Sequence, residues 1–194
     1  MLKALKQVRA AMSLLNPEEI LNRAKRPLHI GLVASSPEVY TEMEEYLLPP
    51  SLPLDERTYL LDKLHRVADP NVPETVDLIL FEEGIPAPKG TYTFYRDRPF
   101  DTVKEILRAN EDIELALARQ FPAFRAAMVD SIIHSVAREN ALFAIATALP
   151  DVIPSLVELP WAIGEFASDT VFLTGNQIRM AFRIAAAYGA RHRR

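Results

Sequence analysis

The stretch Leu28-His29-Ile30-Gly31-Leu32-Val33-Ala34-Ser35-Ser36-Pro37-Glu38 joins a short apolar run to a helix start. The run has the length and residue types of a strand buried on both faces. The serines and proline that follow suit a helix N-terminus, because proline gives up an amide that the first turn leaves without a helical partner. That helix is predicted to run to about Leu48. Working outward, Val76-Asp77-Leu78-Ile79-Leu80-Phe81-Glu82 repeats the buried-strand pattern, and Thr91 to Tyr95 alternates enough for a third strand. Pro49, Pro50 and Pro53 make a loop before a helix from about Asp55 to Leu64, and Gly84, Pro86, Pro88 and Gly90 punctuate another loop. Asp101 is expected to cap a helix reaching about Arg119. Strands alternating with helices predict an α/β domain over residues 27–119, with a small, mostly parallel sheet of degenerate GTPase-like or Rossmann-like form.

From Pro122 the pattern turns wholly helical. Helix-forming sequence runs to Leu149 and stops at Pro150; Asp151 can cap a second helix, kinked at Pro160, and Asp169 a third that ends at Gly189. Residues 120–194 therefore form a proline-punctuated, apolar three-helix module with a basic tail, and its short joints predict antiparallel neighbours. Asp151, Glu158 and Glu165 recur every seven residues as one acidic stripe. Arg179 and Arg183 stand one turn apart on the last helix. The stripe either pairs with these arginines or faces water, and the spacing alone does not choose. Asn176 and Gln177 are either first-turn polar residues or buried hydrogen-bonders.

At the other end, residues 1–26 form a basic arm. Leu2, Leu5, Val8, Met12 and Leu15 recur at helical spacing, and Asn16-Pro17-Glu18-Glu19 starts a second short helix. The arm docks on the body as a surface helix or meets a membrane surface or partner through Lys3, Lys6 and Arg9. The chain of 194 residues carries a net charge of −4, with both ends basic around an acidic middle. That balance argues against a general nucleic-acid binder. The absence of cysteine excludes a disulfide scaffold and a thiol nucleophile. No uncharged stretch is long enough for a standard membrane span, and no secretory leader opens the chain, so a cytoplasmic location is expected.

The candidates for chemistry are few. The strand-to-helix turn at Gly31–Glu38 occupies the place of a phosphate-binding loop. It offers Ser36, Pro37 and Glu38 where such a loop needs a glycine amide, a lysine and a hydroxyl. Phe81-Glu82-Glu83-Gly84 has Phe where a magnesium-binding aspartate belongs. With those roles unfilled, nucleotide hydrolysis is not expected. Glu82 and Glu83 are weak as an acid/base pair because adjacent strand residues face opposite ways. His29, His65, His134 and His192 lack metal-ligand spacing. His134, between Asp130 and Arg138 at four-residue steps, belongs to a helix-face charge ladder. No nucleophile elbow is present. No catalytic residue, cofactor or metal is assigned.

The string Asp169-Thr170-Val171-Phe172-Leu173-Thr174-Gly175-Asn176-Gln177-Ile178-Arg179-Met180, continued by Ile184-Ala185-Ala186-Ala187-Tyr188-Gly189 and preceded by Ala148-Leu149-Pro150-Asp151-Val152-Ile153-Pro154, resembles the YcjF-like bacterial helical domain. That resemblance covers roughly residues 120–190. It implies a module found beside GTPase domains and frequently associated with membranes, with no catalytic residues to carry over. The expectation is a non-catalytic adaptor or scaffold, cytoplasmic or peripheral at the inner face of the cell membrane. Its helical module would dock on a membrane surface or a protein partner. The alternatives are a nucleotide-binding regulator that uses a degenerate α/β cleft, and a self-assembling homo-oligomer.

Overall fold

The computed structural model describes residues 17–67, 75–148 and 169–189. They divide into two compact units. One holds residues 21–128 with the chain's return from 186, and the other holds 17–20, 129–148 and 169–185. The division falls inside a helix, later than the change of sequence pattern near residue 120. The reason is packing: Phe121, Phe124 and Met128 are buried, and the turn carrying Phe121 to Phe124 packs on the helices of the α/β unit.

In chain order, α1 spans Pro17–Lys25, β1 Ile30–Val33, α2 Pro37–Leu47 and α3 Leu54–Leu61. Then follow β2 Leu64–Arg66, β3 Leu78–Glu82, β4 Tyr92–Phe94, α4 Pro99–Ala109 and α5 Glu114–Gln120. A short 3-10 turn, Pro122–Phe124, leads into α6, Arg125–Ala148, and α7 is Asp169–Ala187. The sheet has four strands in the order β2-β1-β3-β4, and each neighbouring pair is parallel. The expected α/β sheet followed by helices is therefore present.

One face of the sheet carries the core. Ile30 and Leu32 on β1, Leu78 and Leu80 on β3, and Phe94 on β4 are buried. They share that layer with Val39, Met43 and Leu47 of α2 and with Val103, Ile106 and Leu107 of α4. Strand periodicity puts alternate residues on this face, and burying each such side chain stabilises by about 1.5–3 kcal/mol. Alternate residues on the other face, Val33, Ile79 and Phe81, are only half-buried. Gly31 lies on that second face for a steric reason. A Cβ there would sit 3.1 Å from Val67 Cγ2 and 3.6 Å from Val76 Cγ2, so the glycine makes room for both ends of the β2–β3 connection.

Several local expectations hold. Ser36 caps α2, its hydroxyl accepting from the Val39 amide at 3.4 Å, and Pro37 takes the first turn. Gly189 has φ +71 and bonds back to the Ala186 carbonyl at 3.2 Å, the left-handed stop that the sequence called for. Others are corrected. Leu64 belongs to β2, an edge strand the sequence hid under the tail of a helix pattern; α3 ends at Leu61. Asp101 does not cap α4: the helix begins at Pro99 after Arg98, and Asp101 pairs with Arg98 at 3.5 Å inside the first turn. The expected single helix to Arg119 is two helices. Asn110 ends α4 by donating its amide to the Ile106 carbonyl at 2.8 Å and to the Tyr92 hydroxyl at 2.6 Å, a side-chain bond that competes with the helix ladder.

In the second unit, α6 and α7 pair. Phe143 stacks on Phe172 with centroids 4.0 Å apart, Asn140 bonds Asn176 at 2.9 Å, and Glu139 pairs with Arg179. The numbering falls on one helix as it rises on the other, so the two helices run antiparallel. The segment between them, with Asp151, Glu158 and Glu165, lies outside the described residues, as do Lys3, Lys6 and Arg9.

Candidate functional site

An open parallel sheet binds ligands beyond the carboxyl ends of its strands, at the point where strand order reverses. Here that point lies between β1 and β3, because the chain leaves β1 toward β2 on one side and continues from β3 to β4 on the other. The backbone beyond β1 is the Ser35-Ser36 turn at the start of α2, and Glu82 ends β3.

Glu82 fills the crevice. Its carboxylate accepts the Ser35 amide at 2.6 Å, an amide of the kind that would cradle a phosphate. The Ser35 hydroxyl and then its amide hold the Glu82 carboxyl below the ordinary carboxylate range, with Arg96 adding a weaker electrostatic pull. Arg96 follows β4 and is clamped by Glu42 of α2, donating Nε to Oε1 at 3.1 Å and Nη2 to Oε2 at 2.5 Å. That hydrogen-bonded pairing, more than its charge, raises the Arg96 guanidinium above its ordinary value. Glu38, in the first turn of α2, is also lowered, first by the Ser36 hydroxyl and then by its own amide. The region thus holds three carboxylates, a hydroxyl cap and one arginine already committed to Glu42. A phosphate entering here would have to displace one carboxylate and face two others. The register that puts Glu82 next to Ser35 was not visible in sequence, where Glu82 looked like half of a weak acid/base pair.

The opposite end of the sheet, at the start of β1 and β3, is tied as well. Asp77 accepts the His29 amide at 2.9 Å and an Arg26 Nη2 donor at 3.1 Å. His29 Nδ1 and His65 Nε2 lie 2.8 Å apart with their rings stacked. No sequence spacing could have paired these two histidines, since the contact follows from the register of Gly31 with His65. Among the described residues no group of three or more His, Cys, Asp or Glu side chains could hold a metal ion.

In the helical pair, Arg179 meets Glu139 of α6 and donates to Asn176 Oδ1 at 3.2 Å. Asn176 is the buried hydrogen-bonder of the two alternatives, whereas Gln177, exposed and well past the first turn, is neither. Arg183 sits half-buried one turn on from Arg179. His134 and Asp130 form the expected helix-face pair, Nδ1 to Oδ1 at 3.3 Å. On α6, Leu142 and Ile145 stand one turn apart at 46% and 48% exposure, and Ile133, nine residues before Leu142 and so on the opposite side from it, is 48% exposed. Among the described residues no helix is long and apolar enough to cross a membrane. Compared with protein-family models, curated proteins and solved structures, the chain gives no match.

Proposed function

We propose that this chain is a non-catalytic adaptor whose helical module docks, through an apolar face, on a protein partner or a membrane surface. The observation that carries the reading is α6. Its inner side is already used by α7, yet Leu142 and Ile145, one turn apart on α6, stay in water away from that side. A pair of large apolar side chains exposed together on a folded helix supports an interaction surface. The switch-point crevice supports the non-catalytic half of the proposal, since the Ser35 amide is taken by Glu82. The resemblance of residues 120–190 to the YcjF-like domain points the same way, as does the absence of a phosphate loop beside it.

Fractionation of the expressed protein followed by an alkaline carbonate wash tests the docking claim. Release from the membrane pellet on washing means peripheral contact, and a protein found wholly in the soluble fraction points to a protein partner. Retention through the wash would defeat surface docking in favour of insertion. The nucleotide alternative has its own test in thermal unfolding with magnesium and a nucleoside triphosphate. A midpoint raised by several degrees would mean binding at the crevice and would overturn the adaptor reading.

A further inference from the structure

We propose that the His29–His65 pair is a proton-sensitive latch, which holds the edge strand β2 on β1 and lets go when both imidazoles carry a proton. β2 is three residues long and half-buried throughout, and it stands at one end of the strand order. Its backbone attachment to β1 includes the Ile30 amide donating to the Lys63 carbonyl at 2.8 Å and the Val67 amide donating to the Leu32 carbonyl at 2.9 Å. With so little apolar burial of its own, the strand depends on side-chain bonds on each face of the sheet. On the face shared with α2, Arg66 donates Nε and Nη2 to Glu44 Oε1, both at 3.2 Å, and its guanidinium lies over the Tyr40 ring. On the other face His65 Nε2 meets His29 Nδ1 at 2.8 Å, the rings stacked with centroids 5.0 Å apart.

Counting protons shows how the latch opens. An N–H···N bond needs one nitrogen to donate and the other to accept, and a neutral imidazole supplies one of each. The bond forms when the pair carries no extra proton, and also with one, when an imidazolium donates to a neutral ring. A second proton turns both facing nitrogens into donors. The bond is then lost, and two like charges face each other across stacked rings. The carboxylate beside His29 is engaged elsewhere: Asp77, just before β3, accepts the His29 backbone amide with Oδ2 and Arg26 with Oδ1. Arg26, after α1, also reaches Asp112 before α5 at 3.4 Å. Lys63, just before β2, lies over the Tyr59 ring of α3 with Nζ 5.5 Å from its centroid. The separated imidazoles of the unfolded chain take up both protons, and the closed latch at most one. Stability therefore falls as pH drops through the histidine range, because the unfolded chain binds more protons there.

Thermal unfolding of the full chain at about pH 7.5 and about pH 5 tests the latch, a window that spans histidine titration and stays above the ordinary carboxylate range. The parent is compared with His29→Gln and His65→Gln, which keep His134 and His192 as a common background. At the higher pH each variant should unfold several degrees below the parent, and at the lower pH that gap should close. A gap of the same size at both values would overturn the proposal. Hydrogen exchange locates the effect: protection at Leu64–Arg66 should fall severalfold in the parent on acidification, while that of β3 holds. An even loss across the sheet would mean general destabilisation and no latch. Should the variants fail to fold, the parent decides alone. With isotope-labelled histidine, a through-bond coupling between the two facing ring nitrogens should be seen at the higher pH and vanish at the lower. Its absence at the higher pH, or its survival at the lower, would defeat the idea.

Discussion

The two units solve the problem of burying apolar surface in different ways. In the α/β unit one sheet face carries nearly all the core, α2 and α4 share that layer, and polar groups at both ends of the central strands are hydrogen-bonded. In the helical pair exposed apolar residues of α6 are interspersed with the charged Asp130, His134 and Arg138, and a few polar side chains sit inside the contact with α7. The first arrangement makes the fold depend on its core and leaves its ligand crevice closed by a carboxylate. The second makes pairing depend on polar contacts and leaves apolar surface in water.

The core of the α/β unit should therefore be the place where a single change does most damage. Phe121 is fully buried and in edge contact with Phe124, their centroids 6.4 Å apart. Phe121→Ala is expected to cost about 3–5 kcal/mol, the usual range for an aromatic truncation that leaves a cavity. Urea denaturation followed by circular dichroism measures it. A loss below about 1 kcal/mol would mean that the turn after α5 is not part of this core and that the division between the units lies nearer residue 120.

A sharper contrast comes from two neighbouring isoleucines on α6. Ile132 is fully buried and Ile133 is 48% exposed, so the same chemistry is tested in two environments. Ile132→Ala should cost about 2–5 kcal/mol, and Ile133→Ala should stay within about 0.5 kcal/mol of the parent. Equal effects on stability would show that the side of α6 carrying Ile133 is covered.

These contrasts also mark how far sequence carries. β1, β3 and β4 were legible because their apolar runs are bounded by proline, glycine and serine, and the helix after β1 because Ser36 and Pro37 announce it. β2 was not, since three residues with no run of their own become a strand only when Ile30 pairs with Leu64. The break at Asn110 was hidden for a related reason: the Tyr92 hydroxyl that helps hold it comes from another strand. The crevice was half legible. An unfilled phosphate loop could be deduced from Pro37 and Glu38, but the carboxylate that occupies it could not, because only strand register carries Glu82 to Ser35. The Glu139 partner of Arg179 was not legible in sequence, because it follows from the antiparallel register of α6 and α7.

Gly31→Ala tests the half-buried sheet face, and a smaller effect is expected there. The new methyl group would lie 3.1 Å from Val67 Cγ2 and 3.5 Å from Ile79 Cγ1. Both contacts are side chains able to give by a few tenths of an ångström, so about 1–3 kcal/mol of overpacking is expected. Hydrogen exchange should show the loss first in β2, the edge strand beside it. An unchanged exchange pattern in β2 would mean that the connection after Val67 does not press on the sheet.

The smallest effect, and the one most specific to the closed crevice, belongs to Glu82→Gln. The Glu82 carboxyl is lowered from its ordinary value of 4.5, so the folded state binds this proton less readily than the unfolded chain does. Its contribution to stability is then fully present above the unfolded value and is lost as pH falls through the lower folded one. The parent should lose stability over that acid window, and Glu82→Gln should flatten the part of the slope that belongs to this group, with its small deficit against the parent largest at neutral pH and closing in acid. The carboxylate is solvent-exposed and screened by salt, so the comparison is best made at low ionic strength, with thermal unfolding followed from pH 7 down to about pH 3. The same variant removes the negative charge that bars the Ser35 amide to phosphate. If Glu82→Gln binds inorganic phosphate while the parent does not, the closed crevice is an electrostatic closure. If the pH slope of the variant matches that of the parent, the Ser35–Glu82 contact does not hold the crevice shut, and the contrast between a sealed α/β unit and an open helical pair has to be redrawn.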